Sequence, residues 1–202
     1  MSKIKVVELW GGPGSGKSTT AAGLFARLKV EEPPAGGPKR SVELVTEHAK
    51  EITWWLAHLA EGRPSPVAVR RALSTRQAVL FGEQWTRLAR LEGQVDVAIS
   101  DSPLWLCTHY SDPDLYPREH WRAIVAAHYA HRLDVAHVWV RRVKSYETRG
   151  RNESEEQARA VDAALGPIWR EAPGLHLEVP GDASAPEVIL HALGGWIDGA
   201  TS

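Results

Sequence analysis

Residues 11–18, GGPGSGKS, lie between an apolar run, KIKVVELW, and a helix-forming stretch, TTAAGLFARLK. They match the spacing G-x-x-x-x-G-K-[ST] of a phosphate-binding loop. Glycine lets the backbone curl until successive N–H groups point inward at phosphate oxygens. The positive end of the following helix adds to that attraction. The expected nucleotide cradle is therefore Gly11, Gly12, Pro13, Gly14, Ser15, Gly16, Lys17, Ser18 and Thr19. Lys17 is placed to reach the β- and γ-phosphates, Ser18 to ligate Mg²⁺ and Thr19 to add a hydroxyl at the α-phosphate.

The rest of the chain supplies the scaffold such a loop needs. Short apolar runs at 5–10, 42–46, 95–100, 135–140 and 175–179 alternate with helical patterns. The first helix starts in the loop and ends near 29, and others are predicted over 49–60, 67–91, 117–131, 154–169 and 185–196. This alternation predicts an α/β chain with a mainly parallel five-stranded sheet flanked by helices, the P-loop NTPase arrangement. No repeat or linker interrupts the 202 residues, so one domain over 1–202 is expected, with a lid segment around 142–156. A formal net charge of −1 leaves no global footprint for nucleic acid or membrane. The single cysteine, Cys107, excludes an internal disulfide framework and suits a reducing cytosol. With no apolar run of spanning length and an N-terminus entering a strand directly, the expected location is cytoplasmic.

In parallel sheets ligands bind beyond the carboxyl ends of the strands. Those ends carry Glu47, Asp101, Arg141 and Gly181, beside the phosphate loop. One carboxylate for the metal shell and one to take a proton from an attacking hydroxyl is the minimum a kinase requires. Glu47 and Asp101 are the candidates, and residue order does not say which does which. The segment VWVRRVKSYETRGR carries Arg141, Arg142, Lys144, Arg149 and Arg151 out of a strand. Arg149 and Arg151, flanking a glycine, suit a segment that closes on the triphosphate and neutralises charge on the transferred group. After the last strand, Gly181 and Asp182 are candidates for backbone contacts to an adenine ring.

Over 67–91, helical spacing puts Val69, Leu73, Leu80, Leu88 and Leu91 on one face, with Gln77 and Gln84 in the middle. A buried amide must find partners, and a flat polar ligand such as a nucleobase is one solution. Gln77 and Gln84 are thus acceptor candidates, with Arg87 at the border for an acceptor phosphate. Of nine tryptophans most are expected in the core, and Trp54, Trp55 and Trp85 are the candidates to stack on a base. His128 and His131 share a helix face but lack the partners of a metal site.

Through GGPGSGKSTTAAGLFARLK, VELVTEHAKE, FGEQWTRLARLEGQVDVAISDSPL and GRNESEEQARAVD, the chain resembles a phage-type P-loop kinase family. Its broader relatives are nucleoside, nucleotide and ribosylnicotinamide kinases. The family look includes phage enzymes that phosphorylate the 5-hydroxymethyl group of modified uracil in DNA. The resemblance implies an ATP- and Mg²⁺-dependent kinase acting in the host cytoplasm, with Lys17, Ser18, Asp101 and the Arg149/Arg151 lid in the expected places. It implies a nucleotide-type acceptor, with 5-hydroxymethyluracil in DNA as the specific expectation; Arg70, Arg71 and Arg76 are the candidates in this chain for contacts to a DNA backbone. A kinase for free nucleosides or nucleotides, and an NTPase switch with no acceptor, are the alternatives.

Overall fold

A computed structural model of the chain describes residues 3–31, 39–59, 65–146 and 154–199. Five strands, β1 (Ile4–Trp10), β2 (Val42–Val45), β3 (Val97–Ser100), β4 (Leu133–Arg141) and β5 (Leu175–Pro180), form one sheet. The spatial order is β2-β3-β1-β4-β5, and every neighbouring pair is parallel. Parallel neighbours cannot be joined by tight hairpins, so the connections cross over the sheet faces. Those crossovers carry α1 (Lys17–Val30), α2 (His48–Leu59), α3 (Pro66–Ser74), α4 (Gln77–Ala89), the short α5 (Cys107–Tyr110), α6 (Arg118–Arg132) and α7 (Glu155–Glu171). The C-terminal helix is α8 (Ala185–Ile197). No helix among the described residues is long and apolar enough to cross a membrane.

Strand alternation divides the core. Val7 and Leu9 of β1 face α1 and α8, packing with Leu24, Leu28, Ile189 and Leu193. Ile4, Val6 and Trp10 face the other way, into a cluster with Leu88, Trp121, Val125, Tyr129 and Trp169. Glu8 falls on this second face and is fully buried. Its carboxylate accepts from Tyr129 Oη at 2.6 and 2.7 Å. His137 of β4, equally buried, sits opposite Glu8 in register. Trp10 Nε1 donates to His137 Nδ1 at 3.1 Å, the same nitrogen lies 3.2 Å from Glu8 Oε2, and His137 Nε2 lies 3.2 Å from the Pro173 carbonyl. Burial pushes the Tyr129 phenol well above its ordinary range, and the Glu8 carboxylate adds to the effect.

The single helix expected over 67–91 is two helices. After α3, Ser74 Oγ and Thr75 Oγ1 both donate to the Arg71 carbonyl, at 3.1 and 3.0 Å, and Arg76 leaves helical geometry before α4. Hydroxyl side chains that bond the preceding turn compete with the helical ladder, and here they accompany its end. Helix α2 buries none of its residues, leaving Trp54 70% and Trp55 56% exposed, while the other seven tryptophans are buried or packed on the core, in line with the expectation that most are core. Trp85 does pack on the core, its ring edge against His128. The turn Leu104–Leu106 and α5 beyond Asp101 had no sequence counterpart.

Tyr129→Phe removes the hydroxyl that donates to the buried Glu8 carboxylate. Loss of a charge-linked buried hydrogen bond predicts destabilisation of about 1–3 kcal/mol in urea unfolding. Because the two residues share one bond, Tyr129→Phe combined with Glu8→Gln should cost less than the two single changes summed.

Candidate functional site

β1 stops at Trp10, and the chain curls through residues 11–16 into α1. Gly11, Gly14 and Gly16 take φ of 132°, 78° and 108°, which disfavour any other L-residue. No side chain caps α1, so its first-turn N–H groups face the loop. Lys17 Nζ donates to the carbonyls of Gly11 (2.6 Å) and Gly12 (3.0 Å), holding its ammonium over the loop. Burial lowers the Lys17 pKa, with Lys50 pushing the same way against the carboxylates of Glu47, Asp101 and Asp162. The Ser15 hydroxyl is buried without a partner.

Beside the loop, the ends of β2 and β3 supply carboxylates. Asp101 immediately follows β3, and its Oδ2 accepts from Ser18 Oγ at 2.9 Å. Its Oδ1 is buried and unpartnered. Glu47 follows β2 and enters α2 three residues before Lys50. The Lys50 ammonium lies 2.7 Å from Ser18 Oγ, 3.2 Å from Asp101 Oδ2 and 3.3 Å from Glu47 Oε2. Burial pulls the Lys50 pKa down, but Glu47 and Asp101 outweigh it and hold it above the ordinary value. Hard oxygen donors on Ser18 and Asp101, with one carboxylate oxygen still unpaired, fit Mg²⁺ carried on a nucleotide. That ion binds through one or two protein oxygens plus phosphates. Among the described residues no group of three His, Cys, Asp or Glu is placed to hold an ion alone.

Glu47 has a second neighbourhood. With His48 it lines a cavity whose other walls are Gln77, Leu80, Phe81 and Gln84 of α4 and the segment 102–107. Both glutamines are buried. Gln84 Oε1 accepts from the His48 N–H at 3.3 Å and its Nε2 donates to Ser100 Oγ at 3.4 Å, while Gln77 Nε2 donates to the Leu73 carbonyl. Arg87 is engaged elsewhere: its guanidinium makes two bonds to Glu51, at 2.8 and 2.7 Å, and one to His48 Nδ1. This fork holds the Glu51 carboxyl down at about 2. Trp54 projects from the exposed side of α2 and does not line the cavity. The thiol of Cys107, on the cavity wall, is pushed up to about 12 by burial.

On the far side of the loop, the Arg142 guanidinium donates to the Pro13 carbonyl (2.8 Å) and to Asp162 Oδ2 (3.0 Å). Asp162 of α7 accepts the Gly12 N–H through its other oxygen at 2.5 Å. Arg141, expected near the nucleotide, is exposed at the end of β4, and Arg149 and Arg151 lie outside the described residues. Gly181 approaches the loop edge-on: its N–H donates to the Arg141 carbonyl at 2.8 Å, and an added Cβ would fall inside the Ser15 carbonyl oxygen. Asp182 turns toward α8, where its carboxylate accepts from the Ser184 N–H and hydroxyl, which lower its pKa. Lys50 and Asp162 are site residues that residue order did not single out, whereas Arg142 stood in the arginine segment but was not one of the two favoured there. Of the first two only Lys50 carried a signal, as a cation one turn beyond the strand-end Glu47.

Two consequences can be measured. Gly181→Ala forces a methyl onto backbone oxygens at the loop, so it should lower the melting temperature, consistent with overpacking of about 1–3 kcal/mol, and weaken ATP-analogue binding in calorimetry. The Glu51 carboxyl titrates lower in the folded chain than in the unfolded one, whose reference is 4.5. Its contribution is therefore present above pH 4.5 and lost as pH falls toward 2. Over that window wild-type stability should fall more steeply than that of Glu51→Gln.

The AAA domain family model AAA_28 matches residues 6–185, from the first strand through the start of α8. No curated protein matches the chain. The matched span contains the phosphate-binding loop, both strand-end carboxylates and the parallel sheet that brings them together. The chain belongs to this AAA domain family, and its fold is that of an α/β P-loop NTPase.

Proposed function

We propose that the protein is an ATP- and Mg²⁺-dependent kinase that transfers the γ-phosphate to a hydroxyl of a nucleotide unit. The position of Glu47 carries this reading. The residue walls the cavity against α4, and its carboxylate is 3.3 Å from the ammonium that touches Ser18 and Asp101. A hydroxyl presented in that cavity meets a carboxylate beside the phosphate loop, whereas hydrolysis needs only water there.

In this reading the acceptor oxygen forms a bond to the γ-phosphorus, the bond from that phosphorus to the ADP oxygen breaks, and Glu47 takes the hydroxyl proton. Lys17 leaves the Gly11 and Gly12 carbonyls to follow the charge on the transferred group. Ser18 and Asp101 would hold Mg²⁺, which when bound neutralises charge on the β- and γ-phosphates. Arg149 and Arg151 belong to the proposed lid over 142–156 of a single kinase domain, anchored at its start by Arg142 against Pro13 and Asp162. Gln77, Gln84 and Phe81 offer amides and a ring face to a flat polar acceptor.

The specific acceptor we favour is 5-hydroxymethyluracil in DNA, on the strength of the family resemblance. The exposed Trp54 and Trp55, with exposed Arg70, Arg71 and Arg76 on and beside α3, supply the stacking faces and cations a strand requires. An unpaired or flipped base would enter the cavity. The setting would be the cytoplasm, that of the host for a phage-encoded enzyme.

The deciding assay offers labelled ATP and Mg²⁺ with DNA containing 5-hydroxymethyluracil, unmodified DNA, or the free nucleoside and its monophosphate. Label on the modified base alone supports the reading. Label on the free compounds with DNA inert moves the acceptor to the nucleotide pool, and hydrolysis with every acceptor inert makes the protein an NTPase. Lys17→Ala should reduce transfer by at least about a hundredfold with the fold intact by circular dichroism. Asp101→Asn should be partly rescued by raised Mg²⁺, while Glu47→Gln should bind both substrates and stay slow at any metal concentration.

A further inference from the structure

Lys50 sits where the helix it belongs to does not favour it. It occupies the first turn of α2, and a cation there opposes the helix dipole. Its ammonium is nonetheless drawn against three oxygens, those of Ser18, Asp101 and Glu47. Two of them are the oxygens that fit the nucleotide's metal. The Asp101 side chain is only 6% exposed, so without a counter-ion it is a nearly buried carboxylate facing Glu47 across the site. Such a carboxylate is costly unless a positive charge accompanies it.

We propose that Lys50 is a tethered counter-ion of the metal position: in the nucleotide-free protein its ammonium holds Ser18 and Asp101, so a divalent cation enters with the triphosphate and not before it. A metal arriving alone must displace a covalently tethered charge and gains only two protein oxygens. A metal arriving on ATP brings phosphate oxygens of its own, and the triphosphate gives the released ammonium new anionic partners. The Lys50 side chain is 43% exposed, so it can withdraw without unpacking the core. The inference rests on Ser18 and Asp101 as the metal-holding pair, and not on the acceptor or on transfer.

The test is Mn²⁺ binding followed by electron paramagnetic resonance on the full chain, with and without ADP. Wild type should bind Mn²⁺ with ADP and at least about tenfold more weakly without it. In Lys50→Met the nucleotide-free protein should bind Mn²⁺ at least about tenfold more tightly than wild type, because a competing charge at a few ångströms is gone. The same variant should melt lower in chelator and recover with Mn²⁺, a recovery that wild type lacks. Lys50→Arg, which keeps the charge, should stay near wild type. Lys50→Gln provides a neutral variant closer in shape should the methionine misfold. Adding Asp101→Asn should remove the gained affinity.

Equal nucleotide-free Mn²⁺ affinity in wild type and the neutral variants overturns the proposal, as does tight Mn²⁺ binding by nucleotide-free wild type. Failure of wild type to bind Mn²⁺ even with ADP instead removes the metal pair beneath it. Neither result depends on whether a kinase acceptor is found.

Discussion

Every strand of the sheet runs the same way, and that constraint organises the site. With parallel order β2-β3-β1-β4-β5, all five carboxyl ends open on one edge. The phosphate-binding loop leaves β1 at the middle of that edge. On one side β3 and β2 deliver Asp101 and Glu47, and on the other β4 and β5 deliver Arg142 and Gly181. Residues 165 positions apart in sequence, Gly16 and Gly181, meet there because the strands that lead to them sit two places apart in the sheet. β1 bears the largest share of this arrangement, since both cores and the Glu8–Tyr129–His137–Trp10 network close on it.

The nucleotide-free edge is electrically self-contained. Lys17 bonds loop carbonyls, Lys50 bonds the strand-end acids, and Arg142 and Asp162 pair across Pro13 and Gly12. The cations and carboxylates in these contacts are, in the proposed reading, the groups that a nucleotide and its metal would engage. In that reading ligand binding would exchange internal pairs for external ones. Three buried atoms of this edge, Ser15 Oγ, Asp101 Oδ1 and Arg142 Nη1, are left without partners. The cavity beyond Glu47 differs in kind. Its wall is largely apolar, and the amides of Gln77 and Gln84 on it are already bonded to the protein, an environment suited to recognising shape more than charge.

Amphipathic spacing misled where local hydrogen bonding prevailed. The apolar stripe over 67–91 is compatible with one helix, and period alone contains no reason to end it. Ser74 and Thr75 end α3 by bonding the Arg71 carbonyl, a choice available only because α4 finds its own packing against the core. Tryptophan count was a sounder guide. Hydrophobicity directs an indole inward on average, and only Trp54 and Trp55, on a helix that buries none of its residues, stay exposed. Arg87, read as free to meet an acceptor phosphate, sits one turn from Gln84 on α4 and faces Glu51 of α2, a pairing across 36 residues that no local pattern reveals.

What the chain determined by itself was whatever depends on short-range geometry. Glycines at fixed spacing force a loop that points N–H groups inward, and apolar runs alternating with helical periods force a parallel sheet. Together these put the strand-end acids on the loop's edge. Tertiary structure decided which charges face one another. That Asp101 meets Ser18, that Lys50 enters between them, and that Asp162 takes the Gly12 N–H follow from strand order and helix placement, which bring residues 32 to 150 positions apart within hydrogen-bond range. Spacing along a chain fixes distances over a few residues. Beyond that, only the packed sheet sets which side chains share a site.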